Sequence, residues 1–453
     1  MAYLSEEHAA SVHATMRKDP RGCPTSTASG DAVAQMEQAL ESMLSYFGDP
    51  LAALERAQEA DPQWAHVHTV RAGLLLTASE FAAAQQAREE LATAARLGTQ
   101  ANDRERAHIA AAQAAADGDW DRACELWEAI LVHSPRDIAA LLFAHLFDFY
   151  RGDALNLKRR PLRVLPRWSP DLPFYGYVLG MAAFGLEEAG HYAEAEDTGR
   201  AAVAMNPRDP WAIHAVTHVF EMQGRHRAGA AWLQGRLQDW SVDNGFSFHN
   251  WFHAALFHLE EMDTQAALDV YDTYLAGVSD LALQRVDRTA ILWRLKLLGL
   301  DVASRFDALR QTWNTGAPAA GYYAFNDLHA LIACIGAQAE PADDLMDAMT
   351  ATSSGASSNG RMTRTAGLPL ARAFSAYARG RWSEATEGLL RVRDTSHVFG
   401  GSHAQRDIVT LTLMDAAVRA GQRELAGHIL AERHLAKQHT PLTAFWQGKV
   451  ARA

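Results

Sequence analysis

Cysteine is scarce in this 453-residue sequence, which has Cys23, Cys124 and Cys334 far apart along the chain. Three separated cysteines do not make a disulfide framework, so we expect the chain to occupy a reducing compartment. Long hydrophobic runs are lacking as well, since no apolar stretch approaches the roughly 20 residues that span a bilayer. Residues 1–24 have no apolar segment of the kind found in a secretory signal. These absences predict a cytoplasmic protein with no membrane partner.

An excess of positive charge is also missing. Lys and Arg total 42 against 54 Asp and Glu, which gives a formal net charge of -12. Nucleic acids and anionic membranes are bound by cationic surfaces, so nucleic acid is not an expected partner. Hydrophobic residues make up 48% of the chain and charged residues 21%, which is typical of a globular protein with a substantial core.

Strand signals are nearly absent, whereas apolar residues recur at helical intervals and alanine is abundant. Residues 120–132 illustrate the pattern with one apolar stripe, made of Ala123, Leu126, Trp127, Ile130 and Leu131. Pro135 ends this stripe, because proline is not accommodated inside a helix. The sequence therefore predicts an all-α protein.

One short pattern occurs three times, at residues 118–123, 190–195 and 380–385. Each copy has a Gly that ends one helix, an aromatic residue two positions later, and an Ala that begins the contact face of the next helix. Gly224 starts a weaker copy 34 residues after Gly190, and a period near 34 with two helices per unit is that of tetratricopeptide repeats. The predicted fold is a tetratricopeptide-like α-solenoid, a superhelical array of antiparallel helix pairs.

The predicted array is not uniform along the chain. We expect an N-terminal extension over residues 1–30, one repeat array over residues 31–436 and a C-terminal tail over residues 437–453. Two irregular insertions are predicted within the array, a basic and proline-rich one near 156–173 and a mobile Ser/Gly-rich one near 350–363. Helix pairs resume directly after each insertion, which favours one connected solenoid.

Histidines occur in pairs four residues apart within two otherwise apolar helices. His214 and His218 belong to one repeat, and His249 and His253 belong to the next. Residues four apart lie on the same face of a helix, and stacked repeats place equivalent helices side by side. The two pairs are therefore expected to converge on one concave surface.

Further polar residues lie at helical positions in later repeats. Together with the four histidines they form the candidate lining of a binding pocket. These further residues are Asp287, Asn326, Asp327, His329, His403, Arg406 and Asp407. Bulky aromatic residues lie between these polar residues, which favours a closed pocket over an open groove. The structural alternative is that each buried polar group hydrogen-bonds to a backbone carbonyl or a neighbouring helix.

Two kinds of chemistry fit these residue types. Histidines four apart, together with carboxylates, supply the ligands of a zinc, iron or manganese site, with His214, His218, His249 and His253 as candidate ligands. Pairs of His and Asp transfer protons without a metal. The sequence lacks the Glu beside the first His that zinc proteases use as a base, and it lacks a Gly-rich phosphate loop and a Gly-x-Ser-x-Gly elbow. The patterns assign no cofactor, and a divalent metal is one hypothesis.

With these segments assembled, the sequence resembles the tetratricopeptide repeat protein 38 family. The segments that carry the resemblance are residues 175–190, 211–225, 248–258, 324–330 and 400–407. Phe252 and Thr217 depart from the expected pattern, in which a second Trp and an Ala occupy these positions. The resemblance implies an α-helical repeat fold in which the histidine-bearing segments are characteristic of the family, and it implies no catalytic assignment.

The sequence thus supports two hypotheses on function. In the first, the concave face forms a His/Asp-rich pocket that binds a small polar molecule or a peptide. In the second, the protein is an enzyme that uses the pocket for acid–base or metal-assisted chemistry on a small metabolite. The sequence leaves open whether the chain forms a homo-oligomer.

Overall fold

The computed structural model describes residues 17–277, 281–316, 318–339 and 343–452. Over these ranges the chain is made of helices and turns, with two isolated β-bridges and no strand, which confirms the all-α prediction. The α-helices, numbered in chain order, are α1 (Gly30–Ser45), α2 (Pro50–Ala60), α3 (Ala65–Leu76), α4 (Phe81–Leu97), α5 (Asp103–Ala116), α6 (Trp120–His133), α7 (Ile138–Tyr150), α8 (Ala154–Val164), α9 (Tyr175–Glu188), α10 (Tyr192–Met205), α11 (Pro210–Met222), α12 (His226–Gln234), α13 (Leu237–Trp240), α14 (Ser247–Glu260), α15 (Thr264–Val270), α16 (Ala282–Leu297), α17 (Ala303–Arg310), α18 (Ala324–Gly336), α19 (Asp343–Ser353), α20 (Ser358–Met362), α21 (Leu368–Ala378), α22 (Trp382–Val392), α23 (His403–Arg419), α24 (Arg423–Ala436) and α25 (Pro441–Ala451). Shorter 3-10 and π-helical turns extend several of them, at Gly98–Gln100, Leu165–Arg167, Tyr271–Leu275, Thr363–Gly367 and Arg393–Phe399.

Helices that follow one another in the chain pack side by side, so the molecule is a helical-repeat solenoid. Two of the repeated glycines, Gly118 and Gly190, have φ angles of +83° and +79°, which side chains rarely adopt. The alanines that follow them, Ala123 and Ala195, are fully buried at the contact with the preceding helix. The repeated sequence pattern therefore marks the turns and close helix contacts of the array.

The solenoid also curls so that distant segments meet. The backbone N–H of His403 donates to the Glu188 carboxylate, and the side-chain amide of Asn326 donates to the Ser79 carbonyl. Trp293 donates its ring N–H to Thr412 in the buried interior. Helices from different parts of the chain thus enclose a common interior.

The segment predicted as an irregular insertion near 156–173 is largely helical, which corrects that prediction. It begins within α8, continues through the 3-10 turn Leu165–Arg167, and loses helical structure only after Arg167. Buried Arg160 accounts for the difference, because its guanidinium pairs with Asp148 on α7 and Glu128 on α6. These tertiary ion pairs stabilise a helix whose own sequence is basic and contains Pro161.

The segment near 350–363, predicted to be irregular and mobile, is mostly helical too. Its start belongs to α19 and its end to α20 and the following π-helical turn, so 354–357 lie outside helices. The Ser357 hydroxyl caps α20 by accepting from the Gly360 N–H. The Ser358 N–H donates to the Gly118 carbonyl, which ties this segment to an early repeat.

Both predicted flanking segments contain structure that the sequence did not indicate. Most of the predicted C-terminal tail, 437–453, forms α25, which packs on α24 and buries Trp446. Residues 1–16 of the predicted extension lie outside the described residues, and 17–29 run without helix to α1. There the buried Arg21 pairs with Glu37.

Among the described residues, no helix combines the length and the apolar character that a bilayer crossing requires.

Candidate functional site

Two neighbouring helices, α11 and α14, bring four histidines together. Asp209 caps α11 at the Ala212 N–H, which fixes where that helix begins. His214 and His218 lie one turn apart on α11, and His249 and His253 lie one turn apart on α14. Ring centroids are 4.3 Å apart for His214 and His218, 4.8 Å for His214 and His249, and 4.5 Å for His218 and His253. We call these four residues the tetrahistidine cluster.

The tetrahistidine cluster is buried and its ring nitrogens are short of partners. His218 and His253 have no exposed surface, and His214 and His249 are 2% and 6% exposed. Within the described residues, neither ring nitrogen of His214, His218 or His253 has a hydrogen bond. Buried polar groups in proteins are nearly always paired, and each unpaired one costs roughly 1–3 kcal/mol. A cluster of this kind is unfavourable unless a ligand satisfies the nitrogens.

Burial holds the imidazoles of His214, His218 and His253 in the neutral form. Burial, followed by repulsion from His218, His249 and His253, lowers the pKa of His214 well below its ordinary value. Burial and the neighbouring histidines likewise lower the pKa of His253, and burial lowers the pKa of His218 to about 3. Neutral imidazole is the form that binds metal ions. One nitrogen from each of the four rings lies within 4.8 Å of the others, so a single ion could contact all four.

His249 is oriented by a carboxylate outside the tetrahistidine cluster. Its Nδ1 lies 2.6 Å from Oδ2 of Asp287 on α16, and the Gln405 amide donates to Asp287 Oδ1 at 3.1 Å. Gln405 is itself fixed by a reciprocal capping interaction with Ser402 at the start of α23. A carboxylate that holds one ring nitrogen leaves the other available to a metal, as in many metal sites. The sequence-based candidate Asp287 therefore lies directly beside the cluster.

A pair of glutamates at the end of α9 lies on another side of the cluster. Glu187 is fully buried, and neither of its carboxyl oxygens has a hydrogen bond in the described structure. Its Oε2 lies 3.2 Å from His218 Nδ1 without hydrogen-bonding geometry. Burial and the adjacent Glu188 raise the pKa of Glu187 well above its ordinary value, because both disfavour the charged carboxylate.

Glu188 connects the cluster to two further sequence-based candidates, His403 and Arg406. The His403 N–H donates to Glu188 Oε1 at 3.0 Å, and Arg406 Nη2 donates to Oε2 at 3.4 Å. Burial opposes ionisation of Glu188, but His403 and Arg406 outweigh it and lower the pKa of this carboxyl. The His403 side chain is 40% exposed, in contrast to the tetrahistidine cluster. His403 is therefore a point where the buried groups approach solvent.

Sequence reasoning missed Glu187 and Glu188. A signal was present, because two acidic residues end the otherwise apolar helix α9, and acidic groups are unfavourable at a helix C-terminus. Such a placement requires a tertiary partner, and His403 and Arg406 from α23 provide it.

Asp407 does not pair with His403, although the two are four residues apart. Its carboxylate accepts two hydrogen bonds of 2.8 Å from Arg433, which also donates to Glu260 at 2.7 Å. Lys437 completes this buried charge network by bonding Glu260 and Glu221. Burial opposes ionisation of Asp407, yet Arg433 and Lys437 lower its pKa to about 2. Asp407 thus stabilises the interior as an anion instead of orienting a histidine.

Three other candidates on α18 bond mainly to backbone and do not contact the cluster. The Asn326 amide donates to the Ser79 carbonyl, and Asp327 Oδ1 accepts the Gly321 N–H at 3.1 Å. His329 Nδ1 lies 2.8 Å from the Phe325 carbonyl one turn earlier. Burial raises the pKa of Asp327 to about 7 and lowers that of His329 to about 4. Hydrogen bonds to the backbone thus account for one polar atom each of Asp327 and His329, whereas Asp327 Oδ2 and His329 Nε2 have no hydrogen bond within the described residues.

Two cavities of the described structure lie away from the tetrahistidine cluster. One of about 740 Å³ opens between the later repeats and is lined by Trp293, Lys296, Tyr377, Trp382 and Arg419 among others. Another of about 530 Å³ lies between the N-terminal segment and the start of α9. Neither contains a residue proposed from the sequence as part of the site. The cluster itself is enclosed by protein.

No protein-family model matches the chain, so the resemblance to the tetratricopeptide repeat protein 38 family remains a prediction.

Proposed function

We propose that the protein binds a divalent transition-metal ion through His214, His218, His249 and His253, and that the metal centre binds a small polar molecule. The observation that carries this proposal is the set of four buried histidines in which one nitrogen of each ring lies within 4.8 Å of the others. Within the described residues, neither ring nitrogen of His214, His218 or His253 has a hydrogen bond. A metal ion supplies a partner to one nitrogen of each ring and so reduces the cost of burying it.

The donor set favours some ions over others. Four imidazole nitrogens without thiolate suit zinc or iron(II), whereas manganese and magnesium prefer oxygen ligands. Asp287 supplies the outer carboxylate that fixes one ligand ring. The carboxyl groups of Glu187 and Asp287 lie against two of the candidate ligands, His218 and His249.

A small molecule fits this enclosed site better than a peptide does. The cluster is sealed by helices, and His403 is the partly exposed group beside it. His403 and Arg406 together present polar donors at that edge. We therefore favour a small polar ligand over an extended chain.

Metal-assisted catalysis is a second candidate function, and Glu187 favours it. The Glu187 carboxyl group, whose pKa is raised by burial and by Glu188, lies 3.2 Å from a ring nitrogen of the candidate ligand His218. Such a group donates or accepts a proton as a metal-bound molecule reacts.

The metal content of purified protein tests the proposal. Protein produced without added metal and purified without chelators should carry about one equivalent or more of zinc or iron per chain by elemental analysis. The variant His253→Ala should lose most of that metal. The matched control is His329→Ala, which removes a buried histidine bonded to a backbone carbonyl and should leave the metal content unchanged. Less than a tenth of an equivalent of every transition metal in wild-type protein, before and after incubation with zinc or iron(II), would refute the proposal.

A further inference from the structure

His218 belongs to two groups of potential ligands at once. The first is the tetrahistidine cluster, and the second consists of His218 with Glu187 and Glu188. Building on the function proposed above, we propose that Glu187, Glu188 and His218 hold a second divalent cation, so that the His218 imidazole bridges two metal ions.

The geometry of the second group supports a cation site. One ligand atom from each of its three residues lies within 4.8 Å of the others. His218 Nδ1 is 3.2 Å from Glu187 Oε2 and 3.9 Å from Glu188 Oε1. These distances leave a metal ion room to contact all three side chains at about 2.0–2.2 Å after small side-chain rotations.

The lack of partners in this second group is an independent observation. Glu187 is 0% exposed, and within the described residues both of its oxygens lack a hydrogen bond. An acidic pair in an apolar interior is costly unless a cation or a donor compensates it. Arg406 and His403 compensate Glu188 but make no hydrogen bond to Glu187. A cation between Glu187 and His218 would compensate the remaining carboxyl.

An imidazole ring is able to serve both sites, because its two nitrogens lie on different edges. Nδ1 of His218 faces the glutamates, so Nε2 remains available to the tetrahistidine cluster. To bind a metal at each nitrogen the ring loses its N–H proton to solvent and becomes imidazolate, and a proton on the Glu187 carboxyl is released to solvent as well. The imidazolate and the two carboxylates then offset three of the four positive charges of the two divalent cations.

The second site also places a metal nearer to solvent. Glu188 contacts His403, whose side chain is 40% exposed, whereas the tetrahistidine cluster is enclosed. Its mixed nitrogen and oxygen donors leave coordination positions for water or a small molecule, unlike a site filled by four imidazoles. The second ion is therefore the one that a small polar ligand reaches, with Arg406 beside it to bind an anionic group.

Cobalt(II) titration separates this inference from the proposed function. Metal-free wild-type protein is titrated with cobalt(II) alone, and visible absorption and bound cobalt per chain are measured. We expect two equivalents in wild-type protein and one in Glu187→Gln, with electron paramagnetic resonance showing coupled ions only in the former. The matched control Glu194→Gln, at an exposed position on α10, should keep two equivalents.

The other possible outcomes of the cobalt(II) titration each overturn the second metal site. One equivalent in wild-type protein that Glu187→Gln leaves unchanged overturns the second site and preserves the proposed metal function. No bound cobalt overturns both. Two equivalents in both proteins places the second ion elsewhere and overturns the inference. If Glu187→Gln does not fold, anomalous diffraction from cobalt-loaded wild-type crystals decides the question by the presence or absence of a peak between His218 and Glu187.

Discussion

Single buried histidines link this protein's stability to pH. Burial, together with nearby Arg160, lowers the pKa of His145 to about 3, and His145 is packed between Phe184 and Trp211. An unfolded histidine takes up its proton near pH 6.5, whereas folded His145 does so near pH 3. The unfolded state therefore binds more protons between these values, and the free energy of unfolding falls as the pH falls from 6.5 towards 3.

Replacing His145 by Phe should remove part of this pH dependence. Between pH 7 and pH 5, one such histidine costs roughly 2 kcal/mol of stability, so H145F should lose about that much less than wild-type protein. Chemical unfolding of metal-free protein at the two pH values measures the difference. His428→Gln changes an exposed histidine and should behave as wild type. Equal losses in H145F and wild-type protein would contradict the pKa assignment.

At the scale of single residues, helix geometry alone predicted the two histidine pairs. The pairs His214/His218 and His249/His253 are local patterns, since a spacing of four fixes a shared face before any tertiary contact forms. The role of Asp407 is set by Arg433, which lies 26 residues further along the chain, whereas His329 bonds to the Phe325 carbonyl one turn earlier in its own helix. Periodicity shows that a polar side chain faces inwards, but not which group it meets there.

At the level of helices, local patterns located the turns but misjudged three segments. The repeated Gly-x-aromatic pattern identifies helix starts because its determinants lie within six residues. The helices α8, α20 and α25 were missed because partners far along the chain stabilise them, such as Asp148 for Arg160 and Gly118 for Ser358. The content of proline, serine and glycine indicates that a segment has a low intrinsic propensity for helix, and tertiary contacts override that propensity.

The crossing of α8 and α9 makes a prediction at this scale. A Cβ at Gly185 would lie 2.3 Å from the Leu157 carbonyl oxygen, a backbone atom that has no room to move. Gly185→Ala should therefore force the helices apart, lower the free energy of unfolding by about 1–3 kcal/mol, and weaken metal binding by displacing Glu187.

The same helix offers the control, Gly176→Ala. A Cβ there meets nothing closer than 4.0 Å, so this variant should be neutral or slightly stabilising. Thermal unfolding and cobalt(II) titration of both variants make the comparison. Similar unfolding and cobalt(II) binding of Gly185→Ala and Gly176→Ala would show that α8 and α9 tolerate a larger separation than the 2.3 Å contact implies.

At the scale of the whole molecule, a buried charge network joins the middle of the chain to its last repeats. Lys437, between α24 and α25, bonds Glu221 on α11 and Glu260 on α14, the two helices that carry the tetrahistidine cluster. Both glutamates and the lysine are nearly inaccessible to solvent. The position of α11 relative to α14 therefore depends on a cation supplied from far along the sequence.

Removing that cation should be strongly destabilising. Lys437→Met leaves the buried carboxylate of Glu221 without its partner and leaves Glu260 with Arg433 alone, and the expected loss is about 3–5 kcal/mol in the free energy of unfolding. The double variant Lys437→Met/Glu221→Gln should recover part of it, because it also removes one uncompensated charge. Lys449→Met, at a partly exposed pair with Asp415, should cost less. Chemical unfolding compares the three, and equal losses for K437M and K449M would argue against a buried network.

Lys437 bonds to Glu221, which precedes it by 216 residues, so this contact can form only after most of the chain has been translated. The ribosome delivers His214 to His253 well before residue 437, at about 5–20 residues per second. During that interval the nascent histidines lack Asp287, Gln405, His403 and Lys437, which are translated later. Under the proposed metal function, insertion of metal into a finished coordination sphere follows translation of the later repeats, and ribosome-bound chains stalled before residue 403 should acquire metal poorly.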